Sequence, residues 1–153
     1  MPGMTLAVAD AAAMVALGER LAGVLAGGIV CLEGALGAGK TTLARGILRG
    51  LGHTGTVRSP TYTLVEPYPV AQGMVYHLDL YRLAEPEELE WLGLRDMLDS
   101  GALLLVEWPE RGAGVLPAAD LVVRIRPSGA GRMVDLVAGT AQGRHMLDSF
   151  ESM

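Results

Sequence analysis

An α/β fold, with helices flanking a mixed sheet that has a parallel core and β-hairpin arms, is what three features of this chain predict. First, two short runs, "IVCLE" (29–33) and "ALLLVE" (102–107), are almost continuously apolar and each ends on an acid. That is the pattern of strands covered on both faces, as parallel strands are. Second, the glycine-rich stretch "GALGAGKTT" (34–42) joins the first of these strands to "TLARGILRGLG", which has helical periodicity. Third, two further segments alternate and double back, as hairpins do. With 153 residues the chain has the length of one domain, and the match of "GALGAGKT" (34–41) to G-x-x-x-x-G-K-[ST] between strand and helix makes it a single P-loop NTPase-like domain over 1–153.

The elements follow in chain order. Asp10 is suited to N-cap a helix that carries Met14, Leu17, Leu21 and Leu25 on one face, with Gly27-Gly28 as its end. Strand 29–33, the glycine turn and a helix ending near Gly50–Gly52 come next. "TYTLVEPY" (61–68) and "GMVYHLDLY" (73–81) form the first hairpin, turning near Pro69–Gly73. Pro86 sits at the first turn of a helix, "PEELEWLGL", whose acids lie at its positive end. After strand 102–107, "DLVVRIRPSGAGRMVDLVAG" forms a second hairpin turning at Ser128–Gly131, and Thr140 to Phe150 a terminal helix.

Composition narrows the function. Net charge is −5, and the scattered arginines give no basic stripe of the kind that binds nucleic acid over a large face. Apolar runs stay far below the roughly 18 residues of a membrane span, and "MPGMTLAVAD" lacks a basic flank and cleavage pattern, so a cytoplasmic protein without membrane contact is expected. The one cysteine, Cys31, lies inside an apolar strand and reads as a buried, inert thiol. The chain has a single lysine and no asparagine.

That lysine carries the chemistry. Gly34 to Thr41 fits G-x-x-x-x-G-K-[ST] without a mismatch and lies between strand and helix as the motif requires. Glycines let the backbone wrap tightly, so that successive N–H groups converge on phosphate oxygens at a helix N-terminus. Lys40 supplies charge for the β- and γ-phosphates, and the Thr41 hydroxyl suits Mg²⁺. Such a site needs an acid on the metal side, and two strand-end acids compete. Glu107 closes the more apolar strand and is the better metal-side group; Asp79, on a hairpin arm nearer the sheet edge, is the candidate for positioning the attacking water or sensing the γ-phosphate.

Four further features are candidates rather than assignments. The segment "RSPTYTL" (58–64), after the glycine-turn helix, offers Ser59, Thr61 and Thr63 as switch hydroxyls. Arg58, Arg82, Arg111 and Arg132 can each neutralise phosphate charge, and spacing singles out none. The three histidines lack metal-ligand spacing, and His77 reads as a strand side chain. Trp108, beside Glu107, is open to three roles: packing the switch, meeting a partner, or anchoring a loop.

A GTPase is disfavoured because the guanine-reading N-K-x-D motif is absent. A small-molecule kinase is the stronger rival, with "ERGAGVLP" (110–117) as its one short lid; a nucleotide-binding regulatory module that barely hydrolyses is the third reading.

Taken together, "GALGAGKTTLARGILRGLG", "VRSPTYTLVEPY", "HLDLYRL", "EELEWLGLRD" and "LLLVEWPERG…LP", in that order from about Gly18 to Arg132, resemble the TsaE family. The resemblance implies Mg²⁺-dependent hydrolysis of ATP in support of threonylcarbamoyladenosine formation at position 37 of tRNAs that read ANN codons. It implies action on a complex of the proteins TsaD and TsaB, with tRNA met through that complex. It places Gly37–Thr42 on phosphates, Thr41 and Glu107 on magnesium, Asp79 in catalysis with Lys40 and Glu107, Arg132 on the nucleotide side and Ser59–Thr61 in a switch. Two positions depart from the family pattern: Ala35 stands where an acid is common, and Arg58 where lysine is common, exchanging a point donor for a planar fork.

Overall fold

The structure, a computed structural model, describes residues 3–153. Strand β1 (Gly3–Val8) leads through Asp10 into α1 (Ala11–Ala22), and β2 (Gly28–Glu33) leads into α2 (Lys40–Gly50). The hairpin β3 (Val65–Val70) and β4 (Gly73–Asp79) is followed by two short helices, α3 (Glu88–Trp91) and α4 (Leu94–Asp99). Then come β5 (Leu103–Glu107), a 3₁₀ turn (Pro109–Gly112), the hairpin β6 (Leu121–Ser128) and β7 (Gly131–Ala138), and α5 (Ala141–Glu151).

All seven strands form one sheet in the order β1-β7-β6-β2-β5-β4-β3. Its centre is parallel: β2 pairs with β5 and β6, and β4 with β5. The arms are antiparallel, through β3–β4, β6–β7 and β1–β7. The expected mixed sheet with a parallel core and hairpin arms is therefore the fold. Alternation along the central strands divides the interior in two. Val30, Leu32, Leu103 and Leu105 pack beneath α1, α2 and α5, while Ile29, Cys31, Leu104 and Val106 pack against α3 and α4. Helices α1 and α2 approach closely because both carry glycine at the crossing: a β-carbon on Gly18 would lie 2.6 Å from the Leu43 carbonyl oxygen. Among the described residues no helix is long and apolar enough to cross a membrane.

Several boundaries differ from the sequence reading, each for a local reason. Helix α1 stops at Ala22, not at Gly27-Gly28, because Gly23 closes it by donating to the Arg20 carbonyl; one loose turn then carries Leu25 into the core. Residues 61–64 are not strand. The Leu64 N–H donates to the Pro60 carbonyl at 2.8 Å, and Leu64 itself has φ of +69°, so the chain coils before β3 begins. The helix expected over "PEELEWLGL" is reduced to the four residues of α3, since Gly93 at φ +89° ends it and opens a second helix, α4, that runs beyond that stretch. Strand β1 has no counterpart in the reading; its alternation is shallow, and its partner β7 lies at the other end of the chain. The terminal helix starts as expected, with the Thr140 hydroxyl accepting from the Gly143 N–H.

Candidate phosphate and metal site

Parallel strands bring their carboxyl ends to one edge of the sheet, and there the loop from Gly34 to Gly39 leaves β2 for α2. Gly37 and Gly39 have φ of +80° and +115°, a region where a β-carbon is disfavoured, so glycine is needed at both. Gly39 is the N-cap of α2 and has no side chain to satisfy the first-turn N–H groups of Lys40, Thr41 and Thr42. Those donors are available to an anion at the positive end of the helix.

Lys40 is buried, with its Nζ donating to the Gly34 carbonyl at 2.7 Å and lying 3.5 Å from the centre of the Trp108 ring. Burial pulls its ammonium below the usual lysine range, while Glu107, Asp79 and Glu110 pull it back. Trp108 holds this position from a left-handed backbone, φ +56°, and its ring also meets Tyr81 at 5.0 Å. Half-buried, it covers the lysine.

Glu107 ends β5 at 3% exposure. Its carboxylate is held from two sides, by the Thr41 hydroxyl at 3.0 and 3.3 Å and by His77 Nε2 at 2.6 Å. In the parallel register of β4 and β5, Asp79 lies directly beside it. Asp79 accepts from the Tyr81 N–H at 3.0 Å, and its own N–H donates to the Leu64 carbonyl, tying it to the end of the coiled segment. Burial raises the Asp79 carboxyl above its usual range; the Tyr81 hydrogen bond opposes this and nearby Glu107 adds to it.

One cleft thus gathers Lys40, Thr41, Thr42, Asp79, Glu107 and Trp108, with Thr61 on its rim. Ser59 reaches it only through Thr61, their hydroxyls being 2.7 Å apart, and Thr63 stays in the exposed turn outside it. Arg132 lies across the loop, donating from Nε to the Ala38 carbonyl at 3.1 Å and from the guanidinium tip to that of Gly37 at 3.5 Å. Beside it a second depression runs past Asp10, Met14 and Gly131 to Gly37–Gly39 and Thr42, so the loop separates two adjoining hollows. Arg58 is not brought to the cleft. Its backbone N–H is held by the Tyr68 hydroxyl at 2.8 Å, and the residue borders a different depression with His53 and Glu66. Arg82 stacks on Tyr62, and Arg111 lies against Tyr81. Cys31 is buried, with its thiol pushed up to about 12, which keeps it protonated.

His77 is the contact the sequence reading missed. It is a strand side chain, as read, but a fully buried one bonded to Glu107. Alternation along β4 places it on the same face as Asp79, and that was the available signal.

The donors suit magnesium. A hydroxyl and a carboxylate meet at the head of α2, both hard oxygen ligands, with a second carboxylate alongside. No group of three or more His, Cys, Asp or Glu side chains among the described residues forms a cage.

Residues 8–134 match the family described as threonylcarbamoyl adenosine biosynthesis protein TsaE. The chain is 45% identical over 158 aligned residues to the tRNA threonylcarbamoyladenosine biosynthesis protein TsaE of Haemophilus influenzae, covering 99% of this chain and 100% of that protein. It is 40% identical over 103 residues to the protein of that name from Bacillus subtilis, covering 67% and 64%. The crystal structure of Bacillus subtilis YdiB superposes with a TM-score of 0.83 at 26% identity, over 99% of this chain and 95% of that one.

Proposed function

This chain belongs to the TsaE family of threonylcarbamoyl adenosine biosynthesis proteins, and from that premise we propose that it is a Mg²⁺-dependent ATPase acting on the TsaB–TsaD pair during tRNA threonylcarbamoyladenosine formation. The observation that carries the reading is the convergence of Lys40, the Thr41–Glu107 hydrogen bond and Asp79 at the first turn of α2. In this reading the first-turn N–H groups and Lys40 hold the β- and γ-phosphates. The Thr41 hydroxyl and the Glu107 carboxylate hold magnesium, which when bound neutralises charge on the phosphate oxygens. Asp79, whose carboxyl is already raised by burial, orients the attacking water and is suited to take its proton. Arg132 braces the loop from the side of the second hollow, where the nucleoside has room.

Trp108 belongs to the cycle as well. The indole that covers Lys40 must yield when phosphate arrives, and Trp108 directly follows β5, next to the metal-side acid. Hydrolysis is favoured over metabolite phosphorylation by the segment after Pro109. Gly112 is buried against Leu80 and Leu89, where a β-carbon would lie 2.9 Å from the Leu89 side chain, so this stretch is anchored and leaves no free lid.

The base is expected to be adenine, because the chain has no asparagine with which to build the guanine-reading motif. A fluorescent ATP analogue bound with Mg²⁺ is expected to be displaced by ATP at lower concentration than by GTP. Equal or tighter displacement by GTP would contradict this specificity.

A further inference from the structure

The cleft leaves one buried polar side chain without a role. We propose that His77 is a positioning residue: its Nε2–H locks the Glu107 carboxylate in the orientation that, with Thr41, receives Mg²⁺. The proposal rests on the magnesium–nucleotide reading of the cleft.

Geometry carries it. Period-two alternation puts Val75, His77 and Asp79 on one face of β4, and the parallel register sets His77 beside Leu105 and Asp79 beside Glu107 on β5. His77 is 0% exposed, and its Nε2 is 2.6 Å from Glu107 Oε2. Carboxylate oxygens accept hydrogen bonds, so the lock requires the tautomer with the proton on Nε2. The opposite nitrogen, Nδ1, is buried with no hydrogen-bond partner among the described residues. An orphaned polar atom of this kind is rare in protein interiors and calls for an explanation. Here the ring is spent on a single contact. A leucine at this place would fill the core without stranding Nδ1, but it would also leave Glu107 without its second anchor.

The contact has a mechanical consequence. Thr41 reaches both carboxylate oxygens, at 3.0 and 3.3 Å, and taken alone would let the group turn about its last bond. With Oε2, the oxygen nearer Thr41, also pinned by the imidazole, that rotation stops and Oε1 is held 3.3 Å from the Thr41 hydroxyl. Donors that orient a metal-bound carboxylate are commonly worth 10- to 100-fold in metal affinity.

The test measures binding of a fluorescent ATP analogue to the full-length protein as Mg²⁺ is titrated, and again in excess chelator. His77→Leu is expected to raise the half-saturating Mg²⁺ roughly 10-fold, with metal-free binding unchanged. His77→Gln, whose side-chain amide reaches the place of Nε2, is expected to return it near the wild-type value. A wild type whose binding ignores Mg²⁺ would overturn the reading of the cleft and this proposal with it. A magnesium-dependent wild type matched by His77→Leu would overturn the proposal alone, as would a His77→Gln variant no better than His77→Leu. Nitrogen-15 spectra of the wild type give a readout that needs no variant. A proton on Nε2 supports the lock, and a bare Nε2 refutes it.

Discussion

Replacing Lys40 with alanine is expected to weaken ATP binding by roughly 10- to 150-fold while the fold survives. The magnitude follows from one charge-assisted hydrogen bond to phosphate, worth about 1.5–3 kcal/mol, at tenfold per 1.4 kcal/mol. The side chain donates to the Gly34 carbonyl and faces the Trp108 ring, and it stands outside both apolar clusters. Its loss therefore spares the core. Titration with a fluorescent ATP analogue, alongside a thermal melt, checks both halves. Wild-type affinity in the variant would rule out a phosphate role for this loop.

The two acids are expected to fail differently. Asp79→Asn is expected to bind Mg²⁺–ATP normally and to lose about 10²-fold or more in turnover, as befits a group acting on the water in the transition state. Glu107→Ala is expected to need more Mg²⁺ for binding and to recover in part at high metal, because a cation ligand has gone. A metal defect in Asp79→Asn and none in Glu107→Ala would show the roles reversed. The first variant also carries a stability signature. Burial raises the folded-state pKa of Asp79, so its ionisation opposes folding. That cost is absent below the unfolded value, about 3.9, and develops as pH rises through the folded one. Asp79→Asn is therefore expected to melt higher than wild type at neutral pH, the gap closing as pH falls toward ~4. A melting point below wild type at neutral pH would contradict the burial argument.

What could be read from residues alone was local. The loop and its helix lie within one stretch of chain, and their glycines and lysine are dictated by backbone geometry. The β6–β7 hairpin turns where its Ser-Gly-Ala-Gly run says it should, with Ser128 opposite Gly131. That Glu107 and Asp79 close their strands is legible because each ends an apolar run. What escaped was set by partners far along the chain or by backbone states that composition does not announce. Strand β1 exists because β7 offers an edge, and His77 meets Glu107 because β4 lies parallel to β5. Residues 61–64 coil because Leu64 takes a left-handed conformation that its β-forming neighbours do not suggest. Trp108 adopts another such state, and from it the indole lies over Lys40.

The most direct measurement of the central claim is the rate of phosphate release from ATP and Mg²⁺ by this protein, with and without the TsaB–TsaD pair. Stimulation by the pair, with no added metabolite, is the predicted result. Equal rates with and without the pair, or ADP formed only when a metabolite is supplied, would contradict it.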